Sequence, residues 1–197
     1  MNATATRDRL IRAAERLFRV QGYSGTGLKQ LTAEAAAPWG SLYHFFPAGK
    51  AELAAEAARY AGEIYGEGWR RAFDQTQGPG EAVERIFLAE AKILEGSDYR
   101  HGCPIAAMTL DVASTDEGLR IACQEAFESW LRILRAGFER HGAASGVAEA
   151  LARFVLAAIE GAIVLSRAAK SPAALLACAP RIRAAVDREA EDWWNSE

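Results

Sequence analysis

Apolar side chains recur along this chain at three- and four-residue intervals, and glycine and proline punctuate the runs. In the first run Leu10, Ala14 and Leu17, with Ile11 and Phe18 offset by one, form a stripe that predicts a helix over 6–21. Arg9, Arg12, Arg16 and Arg19 form the opposite, basic stripe. It reads either as a solvated face or, nearest the N-terminus at Arg7 and Arg9, as phosphate contacts. Gly22-Tyr23-Ser24-Gly25 is a turn, with Gly22 a natural left-handed helix stop. Thr26 is placed to cap a second helix over 27–35, where Leu28, Leu31 and Ala35 fall at i, i+3 and i+7. Small Thr32, Ala33, Ala35 and Ala36 permit a close helix crossing. Pro38 cannot continue that helix but can begin another. Leu42, Phe45 and Phe46 give the third helix, 39–45, its inner face, and Pro47 and Gly49 end it. Helix, tight break and short helix make a helix-turn-helix, with a second helix sized for a DNA major groove.

The same periodicity predicts six further helices. A long one spans 48–75, weakened by Gly62, Gly66 and Gly68 at about 1 kcal/mol each. Gly78, Pro79 and Gly80 break the chain before a helix over 81–96, and 99–104 is a loop. Pro104 opens an apolar helix to 114, and Thr115 is placed to cap the next, over 116–141. Phe127, Trp130, Leu131, Leu134 and Phe138 lie on its inner side. After a turn at 142–146 come a helix over 147–170 and, from Ser171-Pro172, a last one to about 195. The expected fold is all-α, with about nine helices. Abundant Ala and Leu and scarce β-branched runs agree with it.

Charge sharpens the picture. The net charge of −3 does not suggest a nucleic-acid binder, but its distribution does. Residues 1–50 hold seven Lys/Arg against three Asp/Glu; the remainder holds sixteen against twenty-three. A basic block on an acidic body fits a chain that meets DNA at one end and is repelled from it elsewhere. Cys103, Cys123 and Cys178 are widely spaced and odd in number, which suits a reducing cytoplasm with the thiols as small core residues. We expect neither a signal peptide nor a membrane span: the most apolar run, 154–165, is short and contains Glu160.

The run APWGSLYHFFPAGKAEL resembles the recognition-helix signature of the TetR family of transcriptional regulators, and LIRAAERLFRVQGYSGTGLKQLTAEA resembles what precedes it there. The likeness covers 7–58. Three residues depart from the family pattern: Ala36 where the turn usually has glycine, Pro38 where a serine cap is usual, and Trp39 where a polar or basic residue is common. The resemblance implies a DNA-binding domain over 1–46 and a ligand-binding and dimerisation domain over 47–197. It also implies a DNA-contacting set of Arg7, Thr26, Gly27, Lys29, Trp39, Ser41, Tyr43, His44 and Lys50. Tyr43 and His44 resemble the family's phosphate-contacting positions, while Lys29 and Lys50 would set register on phosphates. The N-terminus of the second helix, with Gly27 uncluttered beside it, is an anion site. Ser41 can bond a base edge or a phosphate. Trp39 cannot pair bidentately with a base, but can pack on a thymine methyl or a sugar.

The later runs GCPIAAMTLDVAS and IEGAIVLSRAAKSPAALLACAPRI resemble one branch of the family, that typified by the multidrug regulator LmrA. By resemblance the body holds an inducer pocket, and Trp69, Phe73, Phe87, Met108, Phe127, Trp130 and Phe154 are its expected lining; singly, each also reads as plain core. Glu90 and Glu160 lie within apolar runs. They would favour a lipophilic cation, unless each is paired with an arginine or faces water. Helix 147–170 is apolar around more of its circumference than one core face needs, so Phe154, Ala158, Gly161, Ala162 and Leu165 are expected at a homodimer interface. A palindromic operator requires such a two-fold pair.

The expected function is therefore a ligand-responsive regulator, a repressor released from its operator by a small lipophilic molecule. We expect no enzyme, cofactor or metal: no GxGxxG, phosphate loop or GxSxG occurs, and His44, His101 and His141 have no metal-ligand spacing. The rival reading, a helical interaction or scaffold protein, accounts for the aromatics but not for the basic first fifty residues.

Overall fold

The computed structural model describes residues 3–194. Among them lie nine α-helices and no strand: α1 Ala3–Gln21, α2 Leu28–Glu34, α3 Trp39–Phe45, α4 Lys50–Asp74, α5 Pro79–Gly96, α6 Pro104–Val112, α7 Glu117–Arg140, α8 Ser145–Ala169 and α9 Ala173–Trp194. The all-α expectation holds. The expected last-helix end near 195 and the first two residues of the expected DNA domain lie outside the described residues. No helix among these is long and apolar enough to cross a membrane.

The helices form two compact units. The first comprises residues up to Glu63 together with Cys103–Phe127; the second comprises Ile64–Gly102 and residues from Glu128 on. In the first unit α1 packs on α2, α3 and α6. Leu10, Phe18, Leu31, Leu42, Phe46 and Leu53 are fully or almost fully buried there. Gly22 ends α1 at φ +75°, its N–H bonding the Phe18 carbonyl at 2.9 Å. Asp111 of α6 reaches this turn and accepts from the Ser24 N–H at 2.9 Å. A Cβ on Gly22 would lie 2.8 Å from that carboxylate, so both space and backbone ask for glycine here.

The break after α2 carries a strained residue. Ala36 sits at φ +45°, while Ala36 N–H bonds the Ala33 carbonyl at 3.0 Å and Ala37 N–H the Thr32 carbonyl at 2.9 Å. This closes the helix end with alanine in the left-handed position that glycine suits. Two expected caps are corrected. Thr26 does not cap α2: the cap position is Gly27, and the buried Thr26 hydroxyl instead donates to the Gly22 carbonyl at 2.7 Å. Nor does Thr115 cap α7: Asp116 accepts from the Leu119 N–H at 2.9 Å, and the Thr115 hydroxyl turns back to the Val112 carbonyl.

In the second unit α5 and α8 pack on α9 and on each other. Trp69 and Trp130 meet at 5.1 Å, Tyr65 stands edge-on to Trp130 at 6.0 Å, and Phe73 stands edge-on to Phe138 at 5.5 Å. A Cβ on Gly66 would lie 2.5 Å from Ile133 Cδ1, and one on Gly137 2.6 Å from the Phe73 ring. These two glycines, costly to their own helices, are what let α4 and α7 approach within this unit.

Candidate nucleic-acid interface

α3 is seven residues long, and among them only Leu42 is buried, backed by the fully buried Phe46 just beyond its end. Pro38 stands at its cap with φ −56° and ψ 144°, an extended backbone that the ring presets and that launches the helix without a side-chain cap bond. With one face seated, the rest of so short a helix faces outward. Trp39 is 49% and Tyr43 48% exposed, and their rings stand edge-on at 6.5 Å. His44 is exposed beside Phe45, and Ser41 is half-buried. At the start of α2, Gly27 is exposed with open space where a Cβ would stand, and Lys29 is exposed two residues on. The exposed expected residues Gly27, Lys29, Trp39, Tyr43 and His44, with half-buried Ser41, thus fall on two successive short helices of the first unit. They present an exposed helix start, one lysine, an imidazole and two aromatic rings.

Three other expected residues make internal contacts. Arg7 forms an ion pair with Glu56 and lies 5.5 Å over the Phe46 ring. Thr26 is buried as described. Lys50 donates to the Tyr23 carbonyl at 2.6 Å and lies 4.1 Å over the Tyr23 ring. Burial lowers the Lys50 pKa from its ordinary value, an effect that Asp111 partly opposes. Burial, and then Asp116, raises that of Tyr23. Much of the basic stripe of α1 is engaged as well: Arg9 Nε donates to the Ala35 carbonyl at 2.9 Å, and Arg16 pairs with Glu34 at 3.1 Å. These contacts tie α1 to the end of α2, so the stripe orients the helices that carry the exposed group. Asp111, which steadies the turn before α2, lies 87 residues from Ser24, and no local pattern in the sequence points to it.

The expected ligand residues separate. Met108 and Phe127 belong to the first unit; Trp69, Phe73, Phe87, Trp130 and Phe154 belong to the second. Phe73, Phe87 and Trp130 are core, each at most 3% exposed. Trp69 lines a groove of about 590 Å³ between α4 and α5, together with Ile64, Tyr65, Ile86, Glu90 and Ile93. Arg71 and Arg85 lie at the same groove. Phe154, at 49% exposed, belongs to an outward stripe of α8 with Ala157, Gly161, Val164 and Leu165, while Ala158 is half-buried and Ala162 buried within the chain.

Comparison with known proteins agrees with this arrangement. Residues 10–57 match the model of bacterial regulatory proteins of the tetR family, and residues 79–181 match the C-terminal domain of LmrA/YxaF-like transcriptional regulators. The HTH-type transcriptional regulator YxaF of Bacillus subtilis is 35% identical over 93% of this chain and 96% of its own. LmrA of the same organism is 33% identical over 87% and 91%. Among solved structures, the TetR family regulator CifR, a cysteine mutant in complex with a 26 bp operator duplex, superposes with a TM-score of 0.76. That match has 24% identity and spans 91% of this chain and 95% of CifR. An exposed short helix behind a helix-turn break, a helical body and these relatives together place the chain in the TetR family of transcriptional regulators, with an LmrA/YxaF-like C-terminal domain.

Proposed function

We propose that this regulator is a repressor that binds a palindromic operator as a homodimer and is released by a small lipophilic molecule. The observation that carries the reading is the outward set Gly27, Lys29, Trp39, Tyr43 and His44 on α2 and α3, within the basic first fifty residues. In this reading 1–46 is the DNA-binding domain, 47–197 serves ligand and partner, and the protein acts in the cytoplasm where its DNA lies. Lys29 and the start of α2 hold phosphates, Ser41, Tyr43 and His44 reach the groove or its rim, and Arg7 and Lys50 add phosphate contacts from their internal perches. The α8 stripe Phe154, Ala157, Gly161, Val164 and Leu165 runs at i, i+3, i+7, i+10 and i+11, one apolar face that suits a second copy. Ala158 and Ala162 thin the helix beside it. The α4–α5 groove receives the ligand, with Trp69 and Tyr65 as flat walls. Because α4 runs unbroken from Lys50 to Asp74, a ligand favouring one position of α4 biases the DNA-binding end. A coupling of about 1–3 kcal/mol corresponds to roughly 5–150-fold in operator affinity.

The test is a gel shift on duplexes selected from a random pool, repeated across salt concentrations, with sedimentation of the same samples. A dimer that prefers one palindrome, with affinity falling steeply in salt, is expected. Gly161→Arg sets a long cation in the middle of the α8 stripe and should yield monomers that lose the palindrome. Salt-sensitive binding with no sequence preference would overturn the repressor reading.

A further inference from the structure

We infer that Trp39 makes operator choice depend on the C5-methyl groups of thymine, against which its indole packs in the major groove. The inference rests on α3 being the recognition helix. Trp39 opens α3, and Tyr43, one turn later, braces it edge-on at 6.5 Å; each ring is about half exposed. Its sequence neighbours are Pro38 and Gly40, so no polar side chain stands immediately beside the indole in the chain. A Cβ on Gly40 would meet nothing within 4 Å, so packing within the chain does not require glycine there. Gly40 is the second residue of α3, and its bare backbone allows a surface to approach the helix start closely.

The indole then has to match something on that surface. In the major groove guanine presents two acceptors and adenine an acceptor with a donor. Indole carries one N–H donor and no acceptor, so it completes neither pattern. The thymine methyl is the apolar feature of that groove, and a flat apolar ring braced by a second one fits it. A single bond from the indole N–H to a phosphate is the competing placement, and it is indifferent to the methyl.

Replacing thymine by deoxyuridine removes only that methyl. With a duplex selected from a random pool by the full-length protein, each thymine of the half-site is replaced in turn. Losing one buried methyl contact should weaken binding about fourfold per half-site. One thymine position should show this loss with the wild-type protein. Trp39→Ala should bind more weakly overall and show no loss at that position, and Trp39→Phe should keep part of it. Melting temperatures of both variants check that the exposed side chain is not needed for folding. If every deoxyuridine duplex binds like its parent, or if Trp39→Ala suffers the same penalty, the inference is overturned while the regulator reading stands. A pool from which no preferred sequence emerges would sink both.

Discussion

Two pairs of aromatic residues, one in each unit, have opposite fates. In the first, Trp39 and Tyr43 are about half exposed on a seven-residue helix; in the second, Trp69 and Trp130 are 6% and 2% exposed on helices of more than twenty residues. Residue type does not separate them. What does is how many faces of the helix have something to pack against. α3 seats Leu42 and has no second inward row, whereas α4 and α7 interlock through Gly66 and Gly137 and enclose the rings between them. An aromatic on a short helix with one seated face is therefore available to a partner. One opposite a glycine on a neighbouring long helix belongs to the core.

The sharpest way to break this contrast is truncation on each side of it. Trp130→Ala should cost about 3–5 kcal/mol and lower the melting temperature steeply, because it leaves a cavity beside Trp69 and Tyr65. Trp39→Ala should stay within about 0.5 kcal/mol of wild type in the same melt. Equal effects would erase the distinction. A Trp130→Ala protein that melts normally but no longer responds to ligand would return Trp130 to the pocket.

Lys50 comes next. Its ammonium holds the Tyr23 carbonyl and lies over that ring, so Lys50→Ala should destabilise by about 1 kcal/mol, a charged bond discounted for partial exposure. A Lys50 that also meets phosphate should in addition flatten the salt dependence of DNA binding by up to about one unit of slope when removed. Unchanged stability with a flattened slope would make it a phosphate ligand alone.

Ala36 offers a gain of similar size. At φ +45° a Cβ is strained, and Ala36→Gly should raise stability by about 1 kcal/mol, read as a shifted urea midpoint at constant slope. The smallest effect concerns His141, whose pKa is lowered by burial and then by Arg140. The folded state resists protonating it, so the unfolded state binds the proton first. Stability should fall as pH drops through the ordinary histidine pKa near 6.5, and level off below the folded value. The loss should be a few tenths of a kcal/mol at most, and His141→Gln should remove it from paired urea melts at pH 7.5 and 5.5.

Elements are most legible in the sequence where periodicity and breakers agree. α3 begins and ends where Pro38 and Pro47 place it, and the left-handed turn at Gly22 follows from glycine after a finished apolar stripe. At Ala36 the sequence shows only an alanine where related turns use glycine; the positive φ comes from the structure. Caps were not legible, because Thr26 and Gly27, or Thr115 and Asp116, differ by one residue in which backbone is extended, and periodicity does not settle a single residue. The engagement of Arg7, Arg9 and Lys50 was hidden for another reason. A basic residue's fate depends on which carbonyl or carboxylate the fold brings up, here Glu56, Ala35 and Tyr23, all at least 26 residues away. Spacing within a helix cannot anticipate that.

The bond from Ser24 to Asp111 bears on how the protein is made. The first unit closes only when α6 and the start of α7 return to it, after the chain has passed through residues 64–102. A ribosome adding roughly 5–20 residues per second leaves a gap of several seconds between finishing α1–α3 and delivering Asp111. During that gap the α1–α2 turn lacks its carboxylate partner and the α6-facing side of α1 stays wet. A nascent chain stalled before residue 103 should accordingly be cut by protease near Gly22, and one extended past residue 127 should resist.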